Sequence, residues 1–91
     1  MRTFSRTSQF KKDVKRAEKR GKNLAKLRLV LEQLIDGSPL PAELKDHPLR
    51  GSFAASRDCH VEPDWILIYT ITENDTHVRF ERTGTHADLF R

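Results

Sequence analysis

The sequence predicts an α+β domain of two layers, with two N-terminal antiparallel helices packed on an antiparallel β-sheet. Three observations carry this. Apolar residues recur at helical spacing between residues 8 and 36. A connector with three prolines follows. From residue 52 the chain turns to strand-like runs joined by short turns. Helices first and hairpin-linked strands afterwards is the order of an α+β fold, not of an alternating α/β one. At 91 residues the chain is read as one domain, residues 1–91, near the lower end of the size that buries its own core.

Each element has a local reason. "RTFSR", residues 2–6, suits a short first strand. Thr7 or Ser8 can cap the helix that follows. Phe10, Val14 and Ala17 then share one face, lysines and arginines fill the others, and Gly21 ends the helix. Asn23 can cap the second helix. Its stripe of Leu24, Leu27, Leu31, Leu34 and Ile35 stops at Gly37. The stripe lasts under two heptads, so it reads as core rather than as a zipper. "GSPLPAELKDHPLRGS" is a connector, and Pro48 biases His47 toward extended backbone. "SFAASRDCHV" reads as a strand, Asp64 to Thr72 as the central strand, "TENDT" as a turn, and His77 to Thr83 as the partner strand. "GTHADLFR" closes the chain as a short tail. Strands joined by short turns are antiparallel.

Charge is distributed unevenly. Residues 1–28 hold eleven Lys/Arg and two acids, a local balance of +9, whereas residues 29–91 hold six and eleven, a balance of −5. A basic half beside an acidic half suits a polyanion or an acidic protein on the first part, and equally a well-solvated helix surface. The single cysteine, Cys59, excludes an intramolecular disulfide and fits a reducing compartment. No apolar run approaches the length of a membrane span, and the N-terminus lacks the apolar segment of a secretory leader. The expected location is the cytoplasm, with no membrane partner.

The chemistry-bearing residues gather in "RDCHVEPDW" and around it. His47 lies in the connector, His60 precedes the central hairpin, and His86 follows it, so all three sit near ends of the same small sheet. Cys59, His60, Glu62, Asp64 and His86 are ligand-capable types, but there is no CxxC, HxxxH or HExxH, and neighbours on a strand point to opposite faces. No metal or other cofactor is expected. Acid–base chemistry fits better. An imidazole, with an ordinary pKa of about 6.5, both takes and gives protons near neutrality. Metal-free RNA cleavage needs a base for the 2′-hydroxyl and an acid for the leaving 5′-oxygen. Asp64 can orient an imidazolium, Arg57 and Arg82 can neutralise phosphate charge, and Phe90 can stack a base. Taken singly, each residue also has an ordinary reading: His77 as an exposed turn residue, Cys59 as a small buried filler, Arg82 as a surface charge.

"KDHPLRGSF", "RDCHVEPDWILIY" and "RFERTGTHADLF" resemble, in order, three segments of the YafQ family of bacterial toxins, within the RelE/ParE superfamily of type II toxin–antitoxin systems. "QFKKDVKRAEKRGKN" and "PLPAELKDHPL" extend the likeness over nearly the whole chain. The resemblance implies a ribosome-dependent endoribonuclease that cuts mRNA in the ribosomal A site. It places the family's catalytic residues on His47, His60, Asp64, His86 and Phe90, with His86 as the proton donor. It implies as partners a cognate antitoxin, the ribosome with its rRNA and mRNA, and operator DNA bound through the toxin–antitoxin complex. Phe53 and Ala54 are read as packing and rim, and Arg91 as an added charge beside Phe90. Two other classes stay open: a non-catalytic ParE-type gyrase inhibitor, and a basic nucleic-acid-binding module.

Overall fold

The computed structural model describes residues 1–51 and 55–90; Phe53, Ala54 and Arg91 lie outside the described residues. The elements run β1 (Thr3–Arg6), α1 (Ser8–Lys19), α2 (Leu24–Asp36), a 3₁₀ turn (Ala42–Leu44), β2 (His47–Pro48), β3 (Arg57–Glu62), β4 (Trp65–Thr72), β5 (His77–Gly84) and α3 (His86–Phe90). Thr7 Oγ1 accepts the Phe10 N–H at 2.9 Å, and Asn23 Oδ1 accepts the Ala25 N–H at 3.0 Å. Each cap satisfies a helix-start donor that has no partner inside its helix. Gly37, at φ 83°, ends α2 in a left-handed conformation that few other residues adopt without strain. Among the described residues, no helix is long and apolar enough to cross a membrane.

The five strands form one sheet in the order β1-β5-β4-β3-β2. Three pairings are antiparallel, as expected, but β1 lies parallel to β5, with Thr3 opposite His77 and Arg6 opposite Phe80. The sheet is therefore mixed. A short turn forces its two strands to be antiparallel. No turn joins β1 to β5, which meet only through tertiary packing, so that constraint does not act on them. His77 belongs to this junction. Thr3 Oγ1 lies 2.7 Å from one of its ring nitrogens and Ser5 Oγ 2.9 Å from the other. It ties the first strand to the last and is not an exposed turn residue.

The central strand is buried over its first six residues, Trp65 to Thr70, which explains its nearly continuous apolar run. On one face Trp65, Leu67 and Tyr69 join Cys59, Val78 and Phe80 under Phe10, Ala17, Leu27, Val30 and Leu34 of the helices. The Trp65 indole N–H donates to Thr83 Oγ1 at 3.0 Å, and that hydroxyl donates to the Ile66 carbonyl at 2.8 Å. The other face carries a much smaller cluster: Ile66, Ile68 and Leu89, with Leu49 against them.

Two bulges decide which side chains reach that second face. Val61 is the extra residue between the His60–Ile66 and Glu62–Trp65 pairs. Glu81 is the extra residue between the Tyr69–Phe80 and Ile68–Arg82 pairs. An extra residue reverses the alternation beyond it. Thr83 consequently pairs with Leu67 on the helix side, and Arg82 and Gly84 pair with Ile68 and Ile66 on the other.

Candidate active site

Strand pairing places the first two histidines. Asp58 pairs with Ile68 and His60 with Ile66, so both share the sheet face that bears the smaller cluster; His47 on β2 pairs with Asp58 and joins them. The tail brings the third. The His60 ring centroid lies 6.4 Å from that of His47 and 5.7 Å from that of His86, and His86 lies 6.0 Å from Phe90. Three connector and strand-end imidazoles thus form a row with an aromatic ring at its end.

Each imidazole is held in the same sense. His47 Nδ1 lies 2.6 Å from the Lys45 carbonyl, His60 Nδ1 3.1 Å from the Pro63 carbonyl, and His86 Nδ1 2.9 Å from Asp64 Oδ1. Carbonyl and carboxylate oxygens only accept, so Nδ1 carries the proton in all three rings; Nε2 is the nitrogen left to exchange one on His60 and His86, while on His47 it faces the Asp58 carboxylate. The Asp64 oxygen also accepts the His86 backbone N–H at 3.0 Å. These two bonds from His86 hold the Asp64 carboxyl below the usual carboxylate range. A carboxylate that stays charged steadies the imidazolium of a proton donor.

Asp58 is the residue that sequence reasoning missed. It is 3% exposed, and His47 Nε2 approaches its Oδ1 at 3.1 Å. The contact is in ion-pair range without hydrogen-bond alignment, so among the described residues Asp58 Oδ1 has no hydrogen-bond partner. Burial pushes this carboxyl above its ordinary range, against the pull of His47, His60 and His86. A signal existed: Asp58 stands two residues before His60 on one strand, and such residues share a face.

The two arginines differ from the expectation. Arg57 pairs with Tyr69 and so points to the face opposite the histidines. Its guanidinium is tied to Asp46 at 3.1 Å, and the Tyr69 hydroxyl donates to the same carboxylate. Arg57 is not brought to the site. Arg82 starts from the histidine face, but its guanidinium reaches Asp13 of α1 at 2.8 Å. Asp13 is 2% exposed and accepts from Gln9, Arg16, Arg82 and the Thr83 N–H. A buried carboxylate is tolerated when it is paired and hydrogen-bonded in this way. Asp13 sits on the helix face of Phe10 and Ala17, a charge among apolar positions that sequence reasoning passed over.

Glu62 bonds Lys22 at 3.1 Å and Lys26 at 3.0 Å, closing β3 against the helices. Cys59 is fully buried, and burial pushes its thiol up to about 12, so it stays protonated and inert. A cleft of about 370 Å³ opens beside His60, between Glu43, Leu44 and Lys45 on one side and Val61 and Pro63 on the other.

Known proteins resemble this chain in sequence and in fold. The sequence profile of the family described as "Bacterial toxin of type II toxin-antitoxin system, YafQ" matches residues 2–91. The mRNA interferase toxin YafQ of Escherichia coli strain K12 is 56% identical over 90 residues, which are 98% of this chain and 96% of that one. The crystal structure of YafQ from E. coli strain BL21(DE3) superposes with a TM-score of 0.93 at 53% identity, covering 100% of both chains. The E. coli DinJ-YafQ toxin-antitoxin complex superposes with a TM-score of 0.91 at 55% identity, over 99% of this chain and 98% of the toxin chain.

Proposed function

We propose a function for the chain from one premise: it belongs to the YafQ family, the bacterial toxins of type II toxin–antitoxin systems. It is an endoribonuclease that cleaves mRNA, as the name of its E. coli relative states for that protein. The reaction runs by histidine acid–base chemistry in the A site of a translating ribosome. The observation that carries this reading is the row of three imidazoles, each with Nδ1 engaged by an acceptor, with Nε2 left for proton transfer on His60 and His86 and held against Asp58 on His47.

His60 or His47 takes the proton of the 2′-hydroxyl, and the 2′-oxygen bonds to phosphorus. The bond from phosphorus to the 5′-oxygen breaks, and His86 Nε2 delivers its proton to that oxygen. Products are a 2′,3′-cyclic phosphate and a 5′-hydroxyl, so no water or metal enters the balance. Asp64 fixes the His86 tautomer and steadies its charged form. Phe90, 41% exposed, offers a face on which a base of the mRNA stacks. Arg82 acts mainly through Asp13 and less on phosphate directly. The +9 charge of residues 1–28 faces ribosomal RNA. The remaining partner is a cognate antitoxin, as in the E. coli DinJ-YafQ complex, and through it operator DNA.

Mapping mRNA 5′ ends on translating ribosomes tests the reading. Wild-type protein is expected to give cuts at a fixed codon position and folded His86→Ala to give none. Cuts that persist in His86→Ala at wild-type rate overturn the assignment of the donor. Growth arrest without any cuts overturns the nuclease.

A further inference from the structure

The catalytic tail is short, and something other than its own length must hold it. Five residues make little more than one turn, which is not stable alone in water. Leu89, 8% exposed, holds it from below on Ile66 and Ile68. Asp64 holds the backbone and ring of His86, and a further restraint converges on one side chain that no catalytic role uses. Asp88 Oδ2 accepts the Thr85 N–H at 2.9 Å, while the Asp88 N–H donates to Thr85 Oγ1 at 3.1 Å. This is a reciprocal capping box, in which residue and partner three positions apart satisfy each other's first-turn donors. The same carboxylate receives the guanidinium of Arg20, which caps the C-terminus of α1, at 2.7 Å and 3.4 Å, with Arg16 at 3.7 Å.

We propose that Asp88 is a positioning residue of the nuclease, fixing His86 and Phe90 by closing the first turn of α3 and fastening it to Arg20 at the end of α1. Gly84 supplies independent support. A Cβ placed there meets Asp88 Oδ2 at 2.8 Å and Asp88 Cβ at 2.9 Å, so the carboxylate lies over a site where only glycine fits. The Arg20 bond holds the Asp88 carboxyl well below the usual range, as expected for a charge used as a fastener. The arrangement adds a second restraint on α3 to the Asp64–His86 contact. Between the two, His86 has its backbone and its ring both held.

This inference rests on His86 as the proton donor, and the experiment separates the two. Single-turnover mRNA cleavage on translating ribosomes is measured across toxin concentrations, together with amide hydrogen exchange at Leu89 and along β4. Asp88→Ala is expected to slow cleavage on the order of 10²-fold at saturation, the scale of a misplaced catalytic group, with the half-saturating concentration unchanged. Exchange rises at Leu89 and not in β4. Asp88→Glu, which keeps the charge and the capping chemistry, is expected to restore most of the rate, and Gly84→Ala to reproduce the loss. A wild-type rate in Asp88→Ala, an equal loss in Asp88→Glu, or exchange that rises in β4 together with Leu89 overturns the proposal. His86→Ala cleaving as wild type overturns the functional reading instead, and Leu89 exchange then judges the fastening by itself.

Discussion

The two faces of β4 are built from alternate residues of one strand and have opposite tasks. Trp65, Leu67 and Tyr69 look toward two helices and join the larger core, where even the polar atoms, such as the Trp65 N–H and the Asp13 carboxylate, are fully partnered. Ile66 and Ile68 look the other way and, among the described residues, cluster with Leu89 and Leu49, beside the row of three imidazoles. Stability is concentrated on the first face, and the second carries the groups proposed for the chemistry. A rigid strand with one face packed is what lets the other carry half-exposed, precisely spaced groups. The contrast extends to the carboxylates. Asp13 is buried with four partners. Asp58 is buried without an aligned one. Asp64 and Asp88 are tied by hydrogen bonds and titrate low.

The contrast breaks most severely from the helix side. Trp65→Ala is expected to cost about 3–5 kcal/mol, a large part of the roughly 5–15 kcal/mol that holds a domain of this kind, and urea titration measures it. Asp13→Ala strips a buried partner from Arg82 and from the Thr83 N–H and is expected to cost roughly 3 kcal/mol by the same assay. On the open face the sign of the experiment changes. His60→Ala is expected to slow cleavage about 10²-fold, with its urea midpoint near wild type.

Asp58→Asn sharpens the comparison with the smallest effect. The folded-state pKa of Asp58 is raised, so its charged form opposes folding at neutral pH, and protonation relieves this as pH falls through the raised value. Asp58→Asn is therefore expected to be slightly more stable than wild type at pH 7. The difference closes as pH falls below the ordinary carboxylate range, and cleavage suffers because His47 loses its anion. Asp64 and Asp88 have lowered pKa values, so what they contribute is present at neutral pH and is lost only as acid protonates them. Thermal melts from pH 7 to pH 3 on wild type and Asp58→Asn read both trends. A wild-type midpoint above that of Asp58→Asn at pH 7 contradicts the assignment.

Much of this was written locally. Helix starts at Thr7 and Asn23, the stop at Gly37 and the apolar run of β4 follow from caps, φ preferences and periodicity, each a property of a few neighbouring residues. The motifs around His47, His60, Asp64 and His86 were visible as residue types near strand ends. Their meeting was decided by register. Two single-residue bulges, at Val61 and Glu81, set which side chains share a face, and bulges leave no reliable mark in a sequence. Plain alternation beside Asp58 turned Arg57 away, and an ion pair with Asp13 of α1 drew the Arg82 guanidinium off the histidine face. Contacts across 68 to 70 residues, such as Arg20 with Asp88 or Thr83 with Asp13, depend on packing that no local pattern encodes. Sequence by itself determined the elements, the family and the chemical types available. Only the tertiary structure decided which nitrogens stay open, which carboxylate is buried without an aligned partner, and what holds the catalytic tail in place, because each depends on distances between segments far apart in the chain.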